Sequence, residues 1–154
     1  MELIIRPATP NDLPSLLNFE QSLINSERPF DETMIAEEFH YYDLALLIED
    51  PEAEVLVAEV DRVPVGSGHV RIKEGDHYNQ FERFAFLGFM YVEPEHRGKG
   101  INQMIISELI KWASDRGLKE CRLQVYDENI VAIRAYEKSG FKRLLTTMRF
   151  TGLV

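Results

Sequence analysis

The sequence predicts a mixed α/β fold in one domain, from its length, its cysteine content and its alternation of strand-like and helix-like segments. A chain of 154 residues has the usual length of a single domain. Such a chain buries enough apolar surface to fold without disulfide bonds. Its single cysteine, Cys121, excludes an intramolecular disulfide and a multi-cysteine zinc site, so no metal is expected. We predict one domain over residues 1–154 with the element order β-α-α-β-β-β-α-β-α-β.

The first half of the chain predicts one strand, two helices and a pair of strands. Leu3 to Ile5 form a short apolar run typical of a buried strand. Apolar residues recur with helical spacing from Leu13 to Leu23, and a second helical pattern runs from Pro29 to Pro51. Two valine-rich strands follow, on either side of a tight-turn candidate at Asp61 and Arg62.

The second half predicts a central strand, two helices and two further strands. Phe84 to Val92 is a long apolar run, which indicates a strand buried on both faces. Apolar residues then recur every three or four positions from Ile101 to Trp112, as in an amphipathic helix. The alternation over Cys121 to Val125 predicts a fifth strand. Ile130 to Ser139 predicts a last helix, and Phe141 to Phe150 a last strand.

The acidic side chains concentrate in one segment. Eleven carboxylates and no lysine or arginine lie between Asp31 and Asp61, in a chain whose net charge is −9. A negative field repels nucleic acid and anionic lipid and favours cationic partners. We therefore expect no nucleic-acid partner. The segment is either a solvated surface that keeps the protein soluble or an acidic mouth for an amine substrate.

The sequence carries no sign of a membrane or secretion segment. No apolar run approaches 18 residues, and the first residues lack the basic and apolar regions of a signal peptide. We therefore expect a cytoplasmic protein with no membrane partner.

A loop with two glycines and two cations joins the apolar strand to the amphipathic helix. It reads Arg97-Gly98-Lys99-Gly100-Ile101-Asn102. A helix start leaves backbone N–H groups unpaired and carries partial positive charge, and glycines let an anion approach those groups. The loop therefore predicts a cradle for a phosphate or pyrophosphate, unless the glycines serve only the geometry of a polar turn. Its spacing differs from the loops of nucleotide triphosphatases and dinucleotide-binding folds.

A second motif lies on the last predicted helix. Asn129 suits an N-cap, and Tyr136 follows about two turns later near the same helical face. Together the two motifs resemble those of the Gcn5-related N-acetyltransferase (GNAT) superfamily. The first resembles its Arg/Gln-x-x-Gly-x-Gly/Ala, with Asn102 where glycine or alanine is usual. The second resembles its Asn-x-x-Ala-x-x-x-Tyr-x-x-x-Gly-Phe at Asn129, Ala132, Tyr136, Gly140 and Phe141.

The resemblance implies an N-acetyltransferase that takes acetyl-CoA as acyl donor and lets a primary amine attack it directly. It implies that the pantetheine arm pairs with backbone and contacts Asn129, and that Tyr136 protonates the leaving thiolate. Cys121 is then expected to be a small core residue rather than a nucleophile. The implied donor-binding residues are Met90, Tyr91 and Val92 for the pantetheine, and Arg97, Gly98, Lys99, Gly100, Ile101 and Asn102 for the pyrophosphate.

The general base that the resemblance implies is missing from its usual places. Many family members carry a glutamate on the fourth strand, where this chain has Leu87-Gly88-Phe89. Some carry it on the fifth strand, where this chain has Gln124. An amine with a pKa near 10 must lose a proton before it attacks. The remaining candidates for the proton acceptor are Glu82, His77, Glu93 or a chain of water molecules.

The leading hypothesis is an N-acetyltransferase acting on a small or peptide-borne primary amine. The acidic segment favours a cationic acceptor, such as a polyamine, an aminoglycoside or a basic side chain. The alternative is a non-catalytic acyl-CoA-binding or sensory module, which the two missing carboxylates favour. Family members are often dimers, so a homodimer is also considered. The apolar segment Phe81 to Phe89 suits either an interface or a core strand.

Overall fold

The computed structural model describes residues 2–154 and has the predicted mixed α/β fold. These residues form five β-strands and four α-helices, and none of the helices is long and apolar enough to cross a membrane. The chain divides into two compact units, one up to Gln124 and one from Val125 onwards. In chain order the elements are β1 (Leu3–Pro7), α1 (Leu13–Glu27), α2 (Leu44–Glu49), β2 (Ala53–Val60), β3 (Val63–Glu74), β4 (Arg83–Val92), α3 (Ile101–Asp115), β5 (Cys121–Leu123) and α4 (Ile130–Lys138).

The sheet belongs to the first unit and has the strand order β1-β2-β3-β4-β5. Neighbouring strands are antiparallel from β1 to β4, and β5 runs parallel to β4 because α3 connects the two as a crossover. The tight turn predicted between β2 and β3 is confirmed. Asp61 and Arg62 have φ values of 50° and 71°, as a two-residue hairpin turn requires.

The helices of this unit cover opposite faces of the sheet. A Cβ on Gly68 of β3 would lie 2.6 Å from Ile105 and 3.2 Å from Leu109, both on α3. Successive strand residues point to opposite faces. The next residue, His69, accordingly packs against Tyr42, with ring centroids 4.7 Å apart, in the segment between α1 and α2. The buried core on that face comprises Leu16, Phe19, Leu44, Val55, Val57, Phe89 and Tyr91.

The predicted second helix, from Pro29 to Pro51, is wrong over most of its length. Only α2 is α-helical there, and residues 31–43 form an irregular segment. Side chains from α1 and the turn after it donate hydrogen bonds to backbone carbonyls of this segment. The Gln21 amide donates to the Phe39 carbonyl at 2.9 Å, and Arg28 donates to the Ile35 carbonyl at 2.7 Å. These long-range bonds satisfy backbone groups that a helix would otherwise pair internally.

The predicted last strand is also wrong. Residues 141–154 form neither a helix nor a strand, although they lie within the described part of the chain. A strand-like pattern of side chains indicates only that a segment suits a β-sheet. A β-strand also needs a second strand with which to form backbone hydrogen bonds. The fifth strand ends at Leu123, two residues before the predicted Val125.

Candidate functional site

The loop between β4 and α3 exposes a row of unpaired backbone N–H groups. Within residues 2–154, the N–H groups of residues 98–102 have no hydrogen-bond partner. Gly98 and Gly100 adopt φ values of 77° and 80°, and a Cβ on either would meet no atom within 4 Å. Asn102 lies inside the first turn of α3, where the backbone is helical and needs no glycine. The donors and the positive end of the α3 dipole together have the chemistry that suits an anion.

The two cations of this loop differ in their surroundings. The Arg97 Nε donates to the carbonyl oxygen of Val92 at 2.8 Å, and its guanidinium carbon lies 5.7 Å from the centre of the Tyr91 ring. Arg97 therefore ties the loop to the end of β4. Lys99 is exposed and leaves its charge available to a bound anion.

Beyond Leu87, none of residues 2–154 pairs with β4 on the side of β5. The parallel ladder runs only from Ala85–Cys121 to Leu87–Leu123. On its other side β4 remains paired with β3 as far as Val92. The residues expected to pair with an extended ligand, Met90 to Val92, therefore lie along an open strand edge that leads to the glycine loop.

A β-bulge interrupts β4 at the start of this open edge. Phe89 has a φ of 56°, and the ladder with β3 shifts register between Ser67 and His69. The Phe89 N–H donates to the Tyr42 hydroxyl at 3.1 Å, and its carbonyl accepts from the Ser67 hydroxyl at 3.0 Å. A positive φ costs a residue other than glycine roughly 1–2 kcal/mol. The two hydrogen bonds and the buried Phe89 ring offset this cost.

His69 is buried beside the bulge with both ring nitrogens unpartnered. It is 1% exposed, and neither Nδ1 nor Nε2 has a hydrogen-bond partner among the described residues. Its cross-strand partner is Gly88, where a Cβ would lie 2.7 Å from the His69 Cε1. The imidazole thus fills the space that a side chain at position 88 would need. Burial lowers the pKa of His69 to about 4, so the ring is neutral at pH 7 with one lone pair available.

The buried imidazole predicts a loss of stability in mild acid. The unfolded chain protonates this histidine near pH 6.5, whereas the folded chain resists protonation down to about pH 4. The contribution of the neutral His69 to the free energy of unfolding is therefore complete above pH 6.5. It is lost as the pH falls from 6.5 towards 4, by up to about 3 kcal/mol. We expect urea unfolding at a series of pH values to show this loss, and His69→Phe to flatten it. An equally steep loss in His69→Phe would contradict the assignment.

Glu20 on α1 holds the segment that carries Tyr42. Its fully buried carboxylate accepts the backbone N–H groups of Tyr41 and Tyr42 at 2.9 Å and contacts the His40 Nδ1 at 2.5 Å. The hydrogen bond to Glu20 raises the pKa of His40. Because the Tyr42 hydroxyl binds the Phe89 N–H, a carboxylate on α1 positions the bulge of β4 through one intervening segment.

Glu20→Gln is expected to lower the free energy of unfolding by about 1–3 kcal/mol. The amide NH₂ of glutamine would take the place of one carboxylate oxygen and would face the N–H donors that this oxygen now accepts. Urea denaturation monitored by circular dichroism measures this change. The exposed Glu32→Gln is the control and should remain within about 0.5 kcal/mol of the wild type. Equal midpoints for the two variants would show that Glu20 does not anchor the segment.

The proton-acceptor candidates named from the sequence lie in different places. His77 and Glu82 belong to the loop before β4, and Glu82 lies roughly 20 Å along the strand from Phe89. Glu93 follows β4 directly, with its carboxylate 3.5 Å from the Tyr91 hydroxyl. His69 escaped the sequence analysis because the register between β3 and β4 cannot be seen in one sequence. The available signal was a histidine inside an apolar strand.

Several carboxylates of the acidic segment have structural partners. Glu59 pairs with Arg6 at 3.0 Å, Glu52 pairs with Arg83, and Asp43 caps α2. Residues 31–43 of the segment form the irregular stretch that carries Tyr42, and the rest of the segment belongs to α2, β2 and their connections. In this shorter segment three exposed carboxylates make no hydrogen bond or ion pair among the described residues: Glu32, Glu37 and Glu38.

The second unit contains the tyrosine motif. Asn129 is the N-cap of α4, as predicted, and its side-chain oxygen accepts the Ala132 N–H at 3.3 Å. The Tyr136 ring packs edge-on against Phe141, with centroids 6.0 Å apart. Gly140, with a φ of 101°, follows the end of the helix.

Comparison with known proteins identifies the family. The model of the acetyltransferase (GNAT) family matches residues 18–141. The thialysine N-epsilon-acetyltransferase of Sus scrofa is 31% identical over 147 residues, which cover 92% of this chain and 85% of that protein. The aminoglycoside N(6')-acetyltransferase type 1 of Stenotrophomonas maltophilia is 27% identical over 90% of this chain and 85% of its own length.

The fold comparison agrees with the family match. A structure of a predicted acetyltransferase from Clostridium acetobutylicum with acetyl-CoA has a TM-score of 0.75 and 16% identity, over 97% of this chain and 96% of that chain. Both the family model and the Sus scrofa relative span most of the sequence. The chain therefore belongs to the acetyltransferase (GNAT) family and is an acyltransferase enzyme.

Proposed function

We propose that this protein is an acetyl-CoA-dependent N-acetyltransferase that acetylates a cationic primary amine. The observation that carries the proposal is the row of unpaired N–H groups over residues 98–102, next to the open edge of β4. The relatives from Sus scrofa and Stenotrophomonas maltophilia are both named for the acetylation of amine-bearing molecules. The proposal assigns residues 1–154 to one catalytic domain.

The donor-binding residues suit the chemistry of acetyl-CoA. Its pyrophosphate would accept from the N–H groups of residues 98–102, with Lys99 contributing charge and Arg97 holding the loop to β4. Its pantetheine arm would pair with the free edge at Met90 to Val92, and Asn129 would contact the same arm. When bound, acetyl-CoA supplies an activated thioester for the amine to attack. In the proposal Tyr136 donates the proton that the departing thiolate requires.

Gly100→Ala tests the pyrophosphate cradle. The added methyl group would stand in front of the free N–H groups, so we expect CoA affinity to fall at least about tenfold, or about 1.4 kcal/mol. Gly117→Ala is the matched control, because Gly117 has a φ of 76°, open space around its Cβ and a place at the other end of α3.

Both substitutions impose the same backbone strain of roughly 1–2 kcal/mol, so their melting temperatures should fall together. Calorimetric titration with CoA then shows whether the substitution at position 100 weakens CoA binding more than the substitution at position 117. Equal CoA affinity in Gly100→Ala and Gly117→Ala would contradict an anion cradle at residues 98–102.

We propose His69 as the first acceptor of the proton that the amine loses; because the pKa of the buried ring is about 4, the ring passes this proton on to water rather than keeping it. The resemblance predicted a carboxylate near position 88, and the neutral His69 imidazole fills the space beside Gly88 instead. Its free lone pair lies at the bulge where the open edge of β4 begins. His77 and Glu82 lie at the other end of β4, which disfavours them for this role.

The acceptor is proposed to enter beside residues 31–43, where the exposed Glu32, Glu37 and Glu38 favour a positive charge. Release of CoA from acetyl-CoA, measured with polyamines, aminoglycosides, lysine-like amines and neutral amino compounds, tests this proposal. We expect the cationic amines to react faster, and a variant with all three glutamates changed to glutamine to lose that preference. Tight CoA binding without turnover for any amine would instead support a non-catalytic CoA-binding module.

A further inference from the structure

The hydroxyl of Tyr42 carries a proton that no group within residues 2–154 accepts. Its one hydrogen bond in this part of the chain is one in which it accepts the Phe89 N–H, at 3.1 Å. Burial raises the pKa of Tyr42 to about 12, so the phenol keeps its proton at pH 7. A buried donor without an acceptor is rare and costly in a native protein. The Tyr42 hydroxyl is therefore available to donate a hydrogen bond to a bound molecule.

The surroundings of Tyr42 hold this hydroxyl at one place beside β4. The buried Glu20 carboxylate accepts the Tyr42 backbone N–H at 2.9 Å, and the Tyr42 ring lies edge-on to His69 with centroids 4.7 Å apart. The hydroxyl oxygen lies 3.3 Å from the point where a Cβ on Gly88 would stand. The donor is thus fixed in position before a ligand binds. Such preorganised donors are the groups that stabilise charge developing in a transition state.

The proposed binding mode of the acyl donor brings the thioester to the same place. The glycine loop, residues 98–102, follows the end of β4, so an arm that pairs with Met90 to Val92 runs from this loop back along the strand. Strand β5 occupies the same edge of β4 up to the pair Leu87 and Leu123. The open edge therefore ends beside Phe89, and the acyl end of the arm would lie at the bulge.

We propose that Tyr42 donates a hydrogen bond to the thioester carbonyl oxygen of acetyl-CoA and stabilises the negative charge that this oxygen acquires during acetyl transfer. The Phe89 N–H strengthens this donation, because hydrogen bonds arranged in a chain polarise one another. The inference rests on the proposed function, in which no group is assigned to the carbonyl oxygen. It makes Tyr42 a catalytic residue in addition to His69 and Tyr136.

Tyr42 keeps its own proton in every step. When the amine nitrogen attacks the carbonyl carbon, the new C–N bond forms and the π electrons of the C=O bond move onto the oxygen. The hydrogen bond from Tyr42 is strongest at this point, because the oxygen then carries a full negative charge. The electron pair next re-forms the C=O bond, and the sulfur departs with the electrons of the C–S bond. The amine proton passes through His69 to water, and the thiolate takes its proton from Tyr136.

Infrared spectroscopy of bound acetyl-CoA, isotopically labelled at the thioester carbonyl carbon, tests the assignment on the full-length protein without an amine. A hydrogen bond to a carbonyl oxygen lowers the C=O stretching wavenumber. We expect Tyr42→Phe to raise this wavenumber relative to the wild type. Fluorotyrosine incorporated at position 42 is a stronger donor that keeps the hydroxyl, so it should lower the wavenumber. The matched control is Ser67→Ala, which removes the hydrogen bond to the Phe89 carbonyl and should leave the wavenumber unchanged.

Rates and affinities give a second readout. We expect Tyr42→Phe to lower kcat by about 10²–10³-fold, the range that one donor to an oxyanion contributes. Its CoA affinity should stay within about twofold of the wild type, because the interaction forms mainly in the transition state. Equal wavenumbers in the wild type and Tyr42→Phe, or an equal shift in Ser67→Ala, would overturn the role of Tyr42 alone. A wild type that binds no acetyl-CoA would contradict the proposed function and this inference together.

Discussion

Tyr136→Phe is expected to lower kcat by about 10²–10⁴-fold, the range that a positioned proton donor contributes. The proposal makes the phenol the acid that protonates the CoA thiolate as it leaves. Phenylalanine keeps the ring, and with it the edge-on contact with Phe141. The affinity for CoA is therefore expected to change by less than about twofold, or about 0.4 kcal/mol.

The measurement separates catalysis from binding. Initial rates of CoA release give kcat, and calorimetric titration gives the CoA dissociation constant. Tyr78→Phe is the control, since Tyr78 is exposed in the loop before β4 and its hydroxyl donates to Asp76 in the same loop. A kcat within threefold of the wild type in Tyr136→Phe would exclude the phenol as an essential acid.

His69→Gln is expected to lower kcat/KM by about 10²-fold, the lower end of the general-base contribution. Glutamine has a side chain of similar size, and its amide has no basic nitrogen to take the proton of the amine. His77→Gln is the matched control in the loop that also carries Glu82, and its activity should equal that of the wild type. Loss of activity in His77→Gln with none in His69→Gln would reverse the assignment.

A double substitution distinguishes the chemistry of His69 from its packing. Gly88 does not adopt a positive φ, so once the imidazole is removed the nearest remaining group to an added Cβ is the Tyr42 hydroxyl, 3.3 Å away. We expect His69→Ala/Gly88→Glu to recover activity relative to His69→Ala, because a carboxylate then occupies the vacated space. Unchanged activity in the double variant, with intact folding by circular dichroism, would show that a base at this place is not needed.

The parts of the fold that depend on local pattern could be predicted from the sequence. Asp61 and Arg62 form the expected hairpin turn, and Asn129 caps the expected helix, because turns and caps are decided by a few neighbouring residues. The apolar run of β4 and the apolar stripe of α3 likewise predict a strand and a helix from the spacing of their own residues. The two motifs also identified the family correctly.

The remaining features depend on contacts between distant residues. Residues 31–43 lack a helix because Glu20, Gln21 and Arg28 capture their backbone groups, and no local pattern reveals those bonds. His69 became a candidate only when the β3–β4 register placed it on Gly88. The last strand was predicted from side chains alone, and side chains do not reveal whether a second strand is present to form the ladder.

The most direct test of the account is the rate of CoA release from acetyl-CoA by the wild-type protein with matched cationic and neutral amines, together with the mass of the product. The account predicts an N-acetylated product and a kcat/KM for cationic amines at least about tenfold above that for neutral ones, equal to about 1.4 kcal/mol. CoA binding without any acetylated amine, or equal rates for charged and neutral acceptors, would contradict it.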